Sequence, residues 1–301
     1  MSQNLSDAPH GMNLVIETTS GTVYIGRFDD SNGFEALLHD VDVYDPPEGA
    51  DPEAYIRETA TYGVDVKHRD LKVDATQVTH GTTVVAIRYA NGVVMAGDRR
   101  ATTGHLISHR SIEKVFPADS YSGIAIAGAA GPAMQMVRLF QLQLEHYEKV
   151  EGSPLSLDGK ANQLSQMLRN HMPAAMQGLG VVPLFAGYDA RQEQGRLFQF
   201  DMTGGRYEER DYAATGSGGL HASTVVKLRH HGGIGADEAI DVVVEALFQA
   251  ADEDSATGGP DPVRGIYPVI ATITAEGFER LADEDVASRT STLISRLGGA
   301  S

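Results

Sequence analysis

A glycine followed by two threonines, at the head of an apolar strand, is where chemistry could start in this sequence. The stretch "VTHGTTVVAIRYANGVVMAGDRR" covers residues 78 to 100, with Gly81 ahead of Thr82 and Thr83. Read simply, the threonines are β-branched residues opening a strand and Gly81 is a turn. A second reading makes Thr82 a chain terminus, because only a terminal threonine carries a hydroxyl and a free amine on one residue. The hydroxyl is a weak nucleophile until a base takes its proton, and an α-amine titrates near neutrality, at about 7.7 to 8.0. Such a site also needs a lysine to hold the amine's pKa down and ease alkoxide formation, and a carboxylate to keep that lysine charged and oriented. Backbone N–H groups must receive the oxyanion, and a glycine lets backbone approach substrate closely.

The elements that must position such groups are legible along the chain. "MNLVIETTSGTVYIGRFDDSNGFEALLHDVDVY" reads as three short strands with Ser-Gly and Asn-Gly turns, a small meander over about residues 12–45. "DPPEGADPEAY", with three prolines, reads as a linker over about 45–55. From Thr82 two apolar strands are joined at Asn91-Gly92, a hairpin signal that calls for positive φ at both residues. The strand "YSGIAIAGAAG" runs into a helix whose apolar face carries Met134, Val137, Phe140, Leu144 and Tyr147. A second helix follows at "LSLDGKANQLSQMLRNHMPAAMQG", then strands at "VVPLFAGYD" and "GRLFQFDMTGGRYEERDYAATG". Two more helices, "HASTVVKLRHH" and "ADEAIDVVVEALFQAADED", precede a strand at "YPVIATITAEG". Paired helices between runs of strands imply helices packed over antiparallel sheets, a layered α+β sandwich.

Composition narrows the function classes. The net charge of −17 argues against nucleic acid and anionic membranes, both of which need a basic face. Residues 1–81 hold 15 acidic and 5 basic residues, a net of −10, and so differ in character from the remaining 220, at −7. Zero cysteines remove disulfides, thiol nucleophiles and thiolate metal sites. No run approaches the roughly 18 apolar residues of a membrane span, and the N-terminus lacks the basic start and apolar run of a signal peptide, so the expected location is the cytoplasm.

Five motifs, "HGTTVVAIRYANGVVMAGDRRAT", "EKVF", "IAIAGAAG", "TGSGG" and "DEDSATGGPDPVRGIYP", stand in an order and spacing that resemble the β subunits of bacterial 20S proteasomes of the actinobacterial type. These are N-terminal-nucleophile (Ntn) hydrolases, and the likeness runs from residue 78 to about 275. It implies a four-layer αββα sandwich over residues 82–301, preceded by a small strand-rich propeptide, residues 1–81, removed on maturation. It also implies that Thr82 is the nucleophile of a threonine endopeptidase, with Asp98 and Lys114 completing a triad. Ser217, Asp254 and Thr257 match positions around the terminal amine, and Gly128 matches the oxyanion donor. Many family members have serine where Thr257 stands, and the hydroxyl is kept. The resemblance further implies autocatalytic cleavage at Gly81/Thr82, and a glycine there can enter the distorted backbone that the attack requires. Thr83 falls on the opposite strand face and is not an alternative nucleophile. The first substrate pocket carries over to Ala101, Ile112, Phe116, Ile126, Ala130 and Met134, none charged, which implies chymotrypsin-like cleavage after Leu, Phe or Tyr.

Seen alone, each residue has a plainer reading. Asp98 is a strand-end turn residue, Lys114 a solvated lysine and "GSGG" a flexible loop that lacks the ending of a phosphate loop. His105 and His109 read as a loop pair rather than a metal site, and His230 and His231 as a solvated helix end. No metal or cofactor is expected. The expected partners are proteasome α subunits and further β subunits in a barrel of heptameric rings, a ring-shaped ATPase, and unfolded protein substrates, tagged or untagged. A β subunit that assembles without cutting, and a two-ring peptidase without α subunits, are the competing readings. The first needs a broken triad, and the second is usually shorter than this chain.

Overall fold

The computed structural model describes residues 10–18, 22–31, 35–47, 52–74, 82–103, 106–176 and 178–298. The chain divides into two compact units, one of Met1–His80 with Thr102–His109, the other of Gly81–Ala101 with Arg110–Ser301.

In the first unit β1 (Asn13–Glu17), β2 (Val23–Ser31), β3 (Glu35–Tyr44) and β4 (His68–Asp74) form one antiparallel sheet in chain order, and α1 (Pro52–Tyr62) connects β3 to β4. The sequence pattern places three strands and a linker here; the helix and the fourth strand correct it. Pro52, which reads as linker, is instead the first helical residue, where its missing N–H has no partner to lose. In β4, "HRDLKVD", only Leu71 and Val73 alternate among polar residues, as on an edge strand. Leu14, Ile16, Phe28, Ala36, Leu38, Val41 and Val73 make its core. The buried set in β3 shifts from even to odd positions across Asp40, which has φ 53° beside an irregular register with β2. A bulge inserts one residue and resets the alternation.

Asp42, on the face opposite Val41, is also completely buried. The Lys67 ammonium lies 2.9 Å from its Oδ1, and the Tyr55 hydroxyl donates to its Oδ2. The carboxylate pushes the Tyr55 phenol up to about 12, and the ring stacks 3.8 Å from that of Tyr44. These contacts fasten α1 to β3.

In the second unit β5 (Thr83–Tyr89), β6 (Gly92–Gly97), β14 (Tyr212–Gly216), β15 (Val269–Thr274) and β16 (Gly277–Arg280) form a sheet in the order β14-β5-β6-β15-β16. Its partner sheet has the order β13-β12-β11-β10-β9, from β9 (Val115–Asp119), β10 (Ser122–Gly128), β11 (Val181–Asp189), β12 (Gln194–Phe200) and β13 (Arg206–Glu209). β7 (Ala101–Thr103) and β8 (Leu106–His109) pair only with each other, and from Thr102 onward they belong to the first unit. α2 (Ala130–Glu151) and α3 (Leu157–Ala175) cover the second sheet, while α4 (Gly219–Arg229), α5 (Ala236–Glu253) and α6 (Asp283–Gly298) cover the first.

Alternation along each strand explains the four layers. Val85 and Ile87 face the core under α4 and α5, whereas Val84 and Ala86 face a second core between the sheets. On β10, Ile124 and Ile126 pack under α2 and α3 while Ala125 and Ala127 face the inter-sheet core. Strands buried on both faces must be apolar at nearly every position. This is the αββα sandwich that the family resemblance implies. In α2 the buried face is Ala133, Met136, Val137, Phe140 and Leu144, while Tyr147 is exposed.

The β5–β6 turn corrects one expectation. Tyr89 pairs with Gly92, so Ala90 and Asn91 make the turn, and neither Asn91 nor Gly92 takes a positive φ. Gly92 is there for space, because a Cβ would stand 2.2 Å from the Ile273 carbonyl oxygen. Among the described residues no helix is long and apolar enough to cross a membrane.

His39 ties three strands of the first unit together. Its Nε2 lies 3.1 Å from Asp29 on β2 and its Nδ1 2.5 Å from Asp70 on β4, beside the Arg27–Asp40 pair, and His10 meets the other Asp29 oxygen at 2.8 Å. The bonds to Asp70 and Asp29 raise its pKa, so the folded state binds the proton more tightly than the unfolded chain. That stability is fully present below about pH 6.5 and is lost as pH rises through the folded value. NMR titration of the full-length chain should put the His39 midpoint above 6.5, and Asp70→Asn should return it toward 6.5. A parent midpoint at or below 6.5 would refute the clamp.

Candidate active site

Topology brings the site together at one end of the first sheet. β5 lies between β14 and β6, with Thr83 paired to Gly216 and Val84 to Gly97. Residues just before β5, just after β6 and just after β14 therefore meet: Thr82, Asp98 and Ser217. Asp254 caps the C-terminus of α5, and Thr257 follows it in the loop. Lys114 stands before β9 in the opposite sheet, its carbonyl accepting from the Ile126 N–H at 2.9 Å. Gly97 admits it, since a Cβ there would lie 3.2 Å from the Lys114 Cβ and from a Val84 methyl.

Lys114 is 3% exposed and Asp98 not at all. The ammonium donates to Asp98 Oδ1 at 2.6 Å and to the Arg100 carbonyl at 2.5 Å. Asp98 accepts three backbone N–H groups besides: Thr83 at 2.8 Å on Oδ1, and Arg100 at 2.9 Å and Gly258 at 2.8 Å on Oδ2. Burial pulls the Lys114 pKa below its ordinary value, with Asp98 and then Asp254 opposing the shift. The solvated-lysine reading is thus set aside.

Thr82, 6% exposed, is held from the other side. Its backbone N–H donates to Ser217 Oγ at 3.2 Å, and that hydroxyl donates to Asp254 Oδ2 at 2.6 Å. Thr257 Oγ1 donates to the same carboxylate oxygen at 2.5 Å. Gly216, at φ 97°, lets the Thr82 carbonyl pass where a Cβ would stand 1.8 Å from it.

Two residues stand here that sequence reasoning did not place. Thr83 is fully buried, with its hydroxyl 2.5 Å from that of Thr257 and accepting from the Gly218 N–H at 3.0 Å. A polar residue in register with the buried Val85 and Ile87 was the available signal, since such a position requires a partner. Arg100 offers its carbonyl to Lys114 and reaches the Ser255 carbonyl through its guanidinium at 2.8 Å, joining the loop after β6 to the loop after α5.

The remaining candidates are more dispersed. Gly128 ends β10 at φ 107°, where a Cβ would meet the Gly180 carbonyl oxygen at 2.1 Å. Phe116 and Met134 pack against the cluster that contains Ile126. Ala101 and Ile112 are half-buried, and Ala130 is exposed at the start of α2. Gly81 and His105 lie outside the described residues. His109 closes β8, His230 caps α4, and His231 meets Glu238 at 3.0 Å.

Residues 78–263 match the family model described as proteasome subunit. The chain is 61% identical to the "Proteasome subunit beta" of Acidimicrobium ferrooxidans over 207 residues, 69% of this chain and 76% of that protein. Proteins of the same name from Streptomyces griseus and Jonesia denitrificans are 54% and 56% identical, over 74% and 71% of this chain and 79% and 71% of their own lengths.

The donor count at Asp98 ranks two substitutions. Asp98→Asn strands a buried ammonium and turns an amide N–H₂ toward donors, so it should cost about 3–5 kcal/mol. Lys114→Met leaves the carboxylate with its three backbone donors and should cost less, about 1–3 kcal/mol. Unfolding in urea checks the order; equal losses would show that the backbone donors do not hold Asp98.

Proposed function

The chain belongs to the proteasome subunit family, and we propose that it is the catalytic β subunit of a bacterial 20S proteasome, made as a precursor and activated by its own Thr82. The observation that carries this reading is the buried Lys114–Asp98 pair beside a Thr82 whose nitrogen is held by Ser217. An intact triad speaks against a subunit that assembles without cutting.

In the precursor the Thr82 nitrogen is an amide and cannot act as a base. The Thr82 hydroxyl attacks the Gly81 carbonyl carbon, the Gly81–Thr82 C–N bond breaks, and the nitrogen takes up the hydroxyl proton. Residues 1–81 are then held as an ester, which water hydrolyses to release the leader. The freed α-amine has a lone pair near neutral pKa and serves as the base for the next attack, on a substrate peptide carbonyl. Lys114 stabilises the developing alkoxide, the Gly128 N–H receives the oxyanion, and the same ester-and-water sequence completes turnover. The leader boundary is supported by the family match beginning at residue 78 and by the unit division at His80/Gly81.

The six pocket positions carry no charge, so a lysine or glutamate would be desolvated without a partner while a leucine or phenylalanine gains about 1.5–3 kcal/mol by burial. Cleavage after Leu, Phe or Tyr follows. Unfolded chains, tagged or untagged and fed by an ATPase ring, are the proposed substrates. The proposed assembly is a cytoplasmic barrel with α subunits.

Thr82→Ala should leave residues 1–81 attached and abolish peptide hydrolysis, because one oxygen serves both reactions. Intact mass after co-expression with an α subunit reads the first effect, and continued self-cleavage would refute the assignment. Fluorogenic peptides that differ only at the cleaved residue should turn over faster with Leu or Tyr than with Arg or Glu. Equal rates would mean that other residues form the pocket.

A further inference from the structure

We infer that Thr83 is a positioning residue that anchors the Ser217 loop beside the Thr82 nitrogen through a hydrogen-bond chain ending on Asp254; this rests on the reading of Thr82 as the nucleophile. An ionised carboxylate accepts and cannot donate, so Thr257 Oγ1, 2.5 Å from Asp254 Oδ2, spends its only proton there. The 2.5 Å contact between the Thr83 and Thr257 hydroxyls then has one possible donor, Thr83. The Thr83 oxygen in turn accepts the Gly218 N–H at 3.0 Å. The chain runs one way: Gly218 N–H to Thr83, Thr83 to Thr257, Thr257 to Asp254.

Ser217 joins the same sink. Its proton goes to Asp254 Oδ2 at 2.6 Å, with the Thr82 carbonyl much farther, at 3.4 Å, so it faces the Thr82 nitrogen as an acceptor. Ser217 and Gly218 are adjacent, so the bond that Thr83 makes to Gly218 anchors the loop that aims Ser217. Thr83 also donates its own N–H to Asp98 Oδ1, the oxygen that holds Lys114. The residue after the nucleophile thus links both halves of the site. After cleavage, an acceptor held against the amine favours its ammonium form and limits the ways the amine can turn its lone pair.

Thr83→Val keeps shape and removes the oxygen. The Gly218 N–H loses its buried acceptor, and the Ser217 loop loses its anchor. In the mature enzyme kcat should fall about tenfold, the scale of one lost hydrogen bond, with KM near the parent value. The acid limb of the kcat/KM profile, which reports the amine, should move to lower pH, because a less well aimed acceptor supports the ammonium less. A residue that only filled space would not move that limb. Thr83→Ser restores the oxygen and should bring the limb back. If Thr83→Val fails to fold or mature, Thr83→Ala removes the same oxygen with a smaller side chain and should give the same limb shift. A mature Thr83→Val or Thr83→Ala enzyme with the parent limb and parent kcat would overturn the inference. Peptide hydrolysis that survives Thr82→Ala would instead overturn the nucleophile reading, whatever the Thr83 variants do.

Discussion

An ammonium and a carboxylate 2.6 Å apart in a place water does not reach set the terms for the rest of the second unit. Removing two such ions from water costs several kcal/mol each, and their attraction repays this only with close geometry and every remaining polar atom satisfied. Three backbone N–H groups from three separate segments converge on Asp98, and the Arg100 carbonyl takes a second Lys114 proton. Those segments come from the start of β5, the end of β6 and the loop after α5, while Lys114 comes from the other sheet. The pair is therefore tolerable only when both sheets are stacked at the right spacing, and the inter-sheet core of Val84, Ala86, Val115 and Ala125 provides that spacing.

The glycines near the site follow from the same requirement. Gly97 lets Lys114 approach the first sheet, and Gly216 lets the Thr82 carbonyl lie against the turn that carries Ser217. At Gly216 a side chain would occupy the position of a backbone atom, so no rotamer change could relieve the clash. Dense packing leaves no adjustable space there, and the groups are held before any substrate arrives.

The first unit solves a similar problem differently. Its buried carboxylate, Asp42, is held by two side chains, Tyr55 and Lys67, rather than by converging backbone. Both depend on α1 and the segment after it being in place, so the apolar sheet core and this polar contact must form together. The bulge at Asp40 puts Asp42 on the face opposite Leu38 and Val41, where Tyr55 and Lys67 reach it.

Strands and helices with strong periodicity were legible in the sequence: β11 and α5 match their expected stretches closely, because strands buried on both faces and amphipathic helices carry dense apolar signals. The weaker elements were not. β4 has one buried apolar residue, Val73, α6 has two in 16 residues, Val286 and Leu293, and α1 begins in a proline-rich stretch. The Asn91-Gly92 dipeptide signalled a hairpin correctly but not its geometry, since Gly92 answers to a carbonyl from β15, far away in sequence. By itself the sequence determined which residues have the chemistry, a hydroxyl after a glycine, a lysine, carboxylates, and the apolar rhythm that makes two sheets and two helical layers. Only the tertiary structure decided that Asp98 faces four donors, that Lys114 is buried rather than solvated, and that Thr83 and Arg100 join the site. Each of those depends on where distant segments meet, and local periodicity records which way a residue faces but not what stands opposite it.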